Sequence, residues 1–181
     1  MSSNSNSNDI LNQKFILGLN GALAMENAGI ERLQARMQET SLPDVKLQFE
    51  HHVKETAEHQ KRLQQLITSM GGQPTNEKLG LPLPNFSQNM LDKMNNTMTK
   101  EDWEVKRTEE DLIIENAEIS CYHMLINKAL MAGSSNFQAA ANTLALNLVD
   151  ETKMVEWMKG NTSTLLTKLW PKIQSSTALS S

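Results

Sequence analysis

Residues 51–59, His51-His52-Val53-Lys54-Glu55-Thr56-Ala57-Glu58-His59, put a carboxylate and an imidazole, Glu55 and His59, four residues apart in a long amphipathic stretch. At about 3.6 residues per turn the two share a helical face. Extended both ways, that face carries Val45, Phe49, His52, Glu55 or Thr56, His59, Leu63, Leu66 and Met70, the three-and-four spacing of a buried helix side. Glu55 and His59 are thus predicted to point into a core, where an unpaired charge is costly. A metal ion or a set of partner side chains has to compensate them.

Working outward, this second helix (B) is expected over 43–70. Pro43 suits its first turn, and Gly71-Gly72 followed by Pro74 stops it. The first helix (A) carries the stripe Leu11, Phe15, Leu19, Ala22, Glu26, Gly29 or Ile30, Leu33 and Met37, beginning near Asp9 and ending by Ser41-Leu42. So short a connection makes A and B antiparallel neighbours. Residues 73–85, with Pro74, Gly80, Pro82 and Pro84, read as an extended link, followed by a short helical piece over 86–98. A link of that length lets the chain cross to the other end of a bundle.

Thr99 and Asp102 have capping-box spacing and open a third long helix (C). Its stripe runs Thr108, Asp111 or Leu112, Glu115, Glu118, Cys121 or Tyr122, Leu125, Ala129 and Ala132. Gly133-Ser134-Ser135-Asn136 separates it from helix D, with inner face Phe137, Ala140, Ala141, Leu144, Leu148, Glu151, Met154 or Val155, and Met158. Gly160-Asn161 is expected to close helix D, leaving a short terminal helix over 162–172 anchored by Trp170. The prediction is an all-α antiparallel four-helix bundle over 9–172, with a disordered tail at 1–8 and a loose one at 173–181.

Composition agrees with an all-α fold. Among 181 residues there are only 5 Pro, 8 Gly and 4% aromatics, against 11 Met, which favours long helices packed by Leu, Ala and Met. A mean hydropathy of −0.46 and apolar stretches broken by polar residues argue against membrane spans. The Ser/Asn-rich start has neither the basic nor the apolar region of a signal peptide, so a cytoplasmic location is expected. The one cysteine, Cys121, suits a reducing compartment and reads as a small buried hydrophobe. A net charge of −4 and the lack of a Lys/Arg cluster longer than Lys61-Arg62 exclude nucleic acid as an expected partner.

Each of the four long helices carries acidic residues near its middle on the apolar face: Glu26, Glu55, Glu115 with Glu118, and Glu151. In an antiparallel bundle these can meet at one level with His59, and four-helix bundles with that geometry hold paired iron or manganese ions between carboxylates and imidazoles. A single such glutamate would ordinarily sit at the stripe edge and reach water; the matched set carries the inference. Glu31, Glu58, Glu109, Glu110 and Glu156 are read as solvated, and so is His51. His52 is assigned a hydrogen bond behind the ligands. Tyr122, one turn after Glu118, either donates to a carboxylate or is an ordinary core residue. Zinc hydrolysis would want a His-rich open site, Cys121 lacks a spaced partner for nucleophilic work, and no Gly-rich phosphate loop is present.

Two segments carry a family likeness. His52-Val53-Lys54-Glu55-Thr56-Ala57-Glu58-His59 with Lys61-Arg62-Leu63, and Ile114-Glu115-Asn116-Ala117-Glu118-Ile119-Ser120-Cys121-Tyr122, resemble the HxxETxxHxxRL and EHxEIxxY segments of the YciE/YciF-type family of the ferritin-like superfamily. The resemblance spans roughly residues 10–158 and includes the step from Glu26 to Glu55. It implies a ferritin-like bundle, often a homodimer, with a two-metal site and a link to stress responses. The Glu/His pair four residues apart is also similar to manganese catalases.

Carried over by position, the resemblance makes Glu26 the helix A ligand, Glu55 a bridge, His59 a nitrogen ligand, Glu115 and Glu118 the helix C carboxylates, and Glu151 the helix D ligand. Met154 and Val155 stand where many relatives have a histidine, and Asp150-Glu151 where paired glutamates are common, so helix D is expected to make the second ion's shell nitrogen-poor. The leading expectation is a di-iron or di-manganese protein, an oxidoreductase or a metal-handling protein, meeting a small oxidant such as peroxide or dioxygen. The alternative is a non-enzymatic dimeric bundle whose carboxylates are protonated or tied up by His52, His59 and Tyr122. Iron storage in a hollow cage is a third reading with no specific feature behind it.

Overall fold

A computed structural model describes the backbone of residues 2–177 and the side chains of residues 9–175. Five helices follow in order: α1 (Ser2–Glu39), α2 (Pro43–Ser69), α3 (Gln88–Thr97), α4 (Lys100–Ala132) and α5 (Ser135–Thr177). No strand occurs among the described residues.

The local signals act where their chemistry requires. Pro43 occupies the first turn of α2. At its end the Gly71 N–H donates to the Thr68 carbonyl and the Gly72 N–H to that of Ile67, with Gly71 at φ 85°. That left-handed turn answers the helix's last carbonyls, and glycine adopts it without a Cβ clash. Thr99 and Asp102 form the reciprocal capping box of α4: the Asp102 N–H donates to Thr99 Oγ1 at 3.2 Å and the Thr99 N–H to Asp102 Oδ2 at 2.8 Å.

Helix α1 packs on α2 and α4, and α5 packs on α4 and α2. The pairs Arg36–Glu104 and Tyr122–Glu26 run in opposite order along α1 and α4. The pairs Asp44–Lys168 and Arg62–Asn147 do the same along α2 and α5. Every adjacent pair is thus antiparallel, and the parallel helices α2 and α4 lie on a diagonal. The connection between them must travel the length of the bundle, as in bundles with one long crossover. It follows α1: Asn20 Nδ2 donates to the Gln73 carbonyl, Asn27 Nδ2 to that of Glu77, and Lys78 pairs with Glu31.

Two apolar clusters fill the interior. One gathers Phe15, Leu19, Leu23, Leu63, Ile67, Leu125 and Leu144; the other gathers Leu33, Val45, Phe49, Met154, Met158 and Leu165. Between them in chain position on every long helix lies a belt of buried polar residues, Glu26, His52, Thr56, His59, Glu115, Glu118, Asn147 and Glu151.

The ends differ from expectation. Helix α1 is already helical at Ser2, before Asp9, since lengthening an existing helix needs no new nucleus. The expected break at Gly160 and the separate terminal helix over 162–172 do not occur: α5 runs unbroken to Thr177 with Pro171 inside it. A helical glycine costs about 1 kcal/mol, whereas burying a leucine contributes roughly 1.5–3 kcal/mol. Leu165 and Leu169 both insert into the second cluster, so continuity wins. They are the anchors, and Trp170 is 53% exposed. Met1 and residues 178–181, parts of the two expected tails, lie outside the described residues. Among those residues no helix is long and apolar enough to cross a membrane.

Candidate metal centre

Which side chains α2 sends inward is a matter of rotation. Its buried residues are Val45, Phe49, His52, Thr56, His59, Leu63 and Ile67. At ~100° per residue, their mean direction falls between His52 and Thr56, and Glu55 stands about 85° away at the edge. His52 therefore enters the belt, while Glu55, with its side chain 19% exposed, lies behind it. Glu55, expected as a bridge, thus stands at the edge of the belt, and His52, expected behind the ligands, stands within it.

Two three-residue clusters result, Glu26–His59–Glu151 and His52–Glu115–Glu151, each with ligand-type atoms close enough to surround one ion. Glu151 belongs to both. Its Oε1 is 2.8 Å from His59 Nδ1 and its Oε2 is 3.2 Å from His52 Nε2. Glu115 Oε2 approaches His52 Nε2 at 3.0 Å, and Glu26 Oε1 approaches His59 Nδ1 at 3.4 Å. Glu118, also buried, stands against Gly29, where an added Cβ would come within 3.0 Å of its Oε1. With Glu115, Thr56 and Arg32 it lines a cavity of about 10 Å³, room for about one water. Tyr122 donates a hydrogen bond to Glu26 Oε1.

Both histidines are held alike. The outer nitrogen meets a carboxylate at the rim: His52 Nδ1 and Glu55 Oε2 are 2.9 Å apart, and His59 Nε2 and Asp150 Oδ2 are 3.4 Å apart. The inner nitrogen faces the core carboxylates. A carboxylate placed behind a histidine in this way can fix the ring's tautomer and leave the inner lone pair for an ion. Several inner atoms are buried without a hydrogen bond: Glu26 Oε2, His59 Nδ1 and both oxygens of Glu151. His59 Nδ1 is thus close to Glu151 without being aligned to donate to it. Converging buried lone pairs on oxygen and imidazole nitrogen are a donor set that suits metal ions, and these residues can hold them.

Without an ion the belt stores protons. Burial raises the carboxyl of Glu26, with Glu151 adding to the effect. Burial and Glu151 likewise push Glu115 up to about 8 against the pull of His52. Glu118 is raised well above the carboxylate range by burial and by three carboxylate neighbours. The imidazoles go the same way: burial disfavours their charge, but Glu115 lifts His52 well above its usual value, and the close carboxylates of Glu151 and Glu26 lift His59 to about 10. Burial also works against ionisation of Glu151, yet the two imidazoles outweigh it and hold this carboxyl below its usual value.

Alongside lies an ionic cluster that periodicity did not reveal. Arg36 is fully buried, its Nε 2.5 Å from Asp111 Oδ2 and its Nη2 3.1 Å from Glu104 Oε1. Arg32 reaches Asp111 and Glu110, so Glu110 is paired rather than solvated. The available signal was Asp111 on the helix C stripe, which called for a cation opposite.

An antiparallel all-α bundle with buried, paired histidine–carboxylate clusters defines a ferritin-like protein with a candidate metal centre. The chain belongs to the family described as a domain of unknown function, DUF892, whose model matches residues 10–169. Among solved structures it is similar to a protein from Xanthomonas campestris pv. campestris, at 22% identity and a TM-score of 0.72, covering 91% of this chain and 98% of the other. That likeness concerns the fold. No curated protein matches.

Proposed function

We propose that the protein is a ferritin-like stress-response protein whose belt would hold two iron or manganese ions, one in each cluster with Glu151 common to both, and that these ions would supply peroxide or dioxygen chemistry or be handled as cargo. The observation that carries this reading is the doubled module: two buried imidazoles, each backed by a rim carboxylate, facing core carboxylates with Glu151 common to both. Its resemblance to YciE/YciF-type proteins supports the stress-response role, a homodimeric state and a cytoplasmic location.

Bound iron or manganese would supply the redox chemistry, and the chain's residues do the rest. Glu26 with His59 would hold one ion and His52 with Glu115 the other. Tyr122 keeps a proton directed at Glu26 Oε1. The two apolar clusters limit water around the belt, which strengthens every charge interaction inside it.

Metal analysis of protein purified without chelator tests the proposal. About two equivalents of iron or manganese, or their uptake on reconstitution with accelerated peroxide consumption, are expected. Less than about a tenth of an equivalent, unchanged by reconstitution, would defeat it. The raised imidazoles and the ionised Glu151 favour one second reading, a metal-free bundle in which His52 and His59 are permanent cationic partners of Glu151.

A further inference from the structure

The two halves of the belt are anchored differently from behind. Arg62 Nη1 donates to Asn147 Oδ1 at 3.0 Å, Asn147 Nδ2 donates to Tyr122 Oη at 2.9 Å, and the Tyr122 hydroxyl donates to Glu26 Oε1. The direction of this chain is set at its outer end. A guanidinium can only donate, so Asn147 must present its oxygen to Arg62 and its NH₂ to Tyr122, and the phenol, already accepting, turns its proton to Glu26. The same Nη1 also reaches Asp150 Oδ2 at 3.5 Å, the oxygen that faces His59 Nε2. Lys153 holds the other Asp150 oxygen at 3.2 Å. Held between these two cationic side chains, Asp150 presents Oδ2 to His59 Nε2, and Nδ1 is left to face Glu151 and Glu26.

The other half has no such clamp. Glu55, behind His52, pairs only with His52 and with His51, which is 65% exposed; among the described residues no lysine or arginine reaches it.

We propose that Arg62 is a positioning residue: through Asn147 and Tyr122 on one arm and Asp150 on the other, it sets the hydrogen-bond direction around Glu26 and His59 and makes theirs the tighter of two unequal metal sites. This rests on the reading that the belt binds two ions. Partners behind metal ligands contribute about 10- to 100-fold to affinity, and here one guanidinium orients both a carboxylate and an imidazole.

The test compares wild-type protein with Arg62→Gln and Arg62→Lys by calorimetric titration with Mn²⁺, and by the NMR resonance of the phenolic carbon in the metal-free proteins. The chain has one tyrosine, so that resonance reports Tyr122 alone. Arg62→Gln is expected to weaken the tighter Mn²⁺ site by about tenfold or more, to change the weaker one by less than about threefold, and to move the Tyr122 resonance. Arg62→Lys, which can hold one arm but not both, should fall between. Should Arg62→Gln fail to fold, Asp150→Asn tests the second arm: it should weaken the same site and leave the Tyr122 resonance in place. Unchanged affinities with an unmoved resonance would overturn the proposal, as would equal weakening of both sites in step with the melting midpoint. Wild-type protein that binds no Mn²⁺ would remove the proposed function and with it the claim of unequal sites, while a Tyr122 resonance that still follows Arg62 would retain the orienting role.

Discussion

Replacing Glu151 with glutamine separates a shared ligand from an ordinary buried carboxylate. The side chain keeps its size and its place between His59 Nδ1 at 2.8 Å and His52 Nε2 at 3.2 Å. An amide has one oxygen, however, so only one imidazole side keeps an acceptor and the other meets an NH₂ group. In wild-type protein, each ion present at a hundred times its dissociation constant stabilises the fold by about 2.7 kcal/mol, or roughly 5 kcal/mol for two. At about 2–4 °C per kcal/mol for a chain of this size, the midpoint rises by roughly 10–20 °C. Glu151→Gln strips both ions of the common ligand, and the rise should shrink to less than about 3 °C. Glu55→Gln instead removes only the hydrogen bond behind His52. A 10- to 100-fold loss at one site leaves more than about half of the rise. The assay is thermal melting by circular dichroism with and without excess Mn²⁺, each variant referred to its own metal-free midpoint. The reasoning is refuted if Glu151→Gln keeps the wild-type increment while Glu55→Gln loses it.

Metal affinity should rise with pH. In the metal-free protein Glu115 is raised to about 8 and His59 to about 10, so both hold protons at neutral pH that a bound ion must displace. Mn²⁺ binding should therefore tighten from about pH 6 to 9 and release protons, measurable by calorimetry in two buffers of different ionisation enthalpy; a flat affinity would contradict this. Gly160→Ala should stabilise the protein by about 0.5–1 kcal/mol in urea unfolding, because the residue is helical and an added Cβ meets nothing within 4 Å. Destabilisation would mean that the helix breaks there. Arg36→Met should cost about 3–5 kcal/mol, since it strands the buried carboxylates of Asp111 and Glu104, and a loss below about 1 kcal/mol in the same assay would count against the buried network.

The elements were legible because their signals are local. The cap at Thr99, the stop at Gly71 and the stripes of α1, α2, α4 and α5 depend on neighbours within a turn or two. The short link after α1 and the long one after α2 then restrict the topology to one crossover. The level of the site was also legible, because Glu26, His59, Glu115 and Glu151 interrupt apolar stripes. The exchange between His52 and Glu55 was not: both lie within one helical turn of the stripe, and only packing against the other helices decides which edge of α2 is innermost. Arg36 escaped, and Arg62 and Asp150, though noted, were given no structural role, for a related reason. A charged residue at a stripe edge reads as solvated until the partner that buries it is known, and those partners lie on other helices. Gly160 misled because a helix end there is locally reasonable and is overridden only by the burial of Leu165 and Leu169 further on.

The most direct measurement is a crystal structure of the reconstituted protein with anomalous scattering recorded at the iron and manganese edges. Two anomalous peaks, one among Glu26, His59 and Glu151 and one among His52, Glu115 and Glu151, with Glu55 behind His52 and outside both, are the expected result. A belt with no peak, or a single ion ligated by Glu55 with Glu151 turned away, would contradict it.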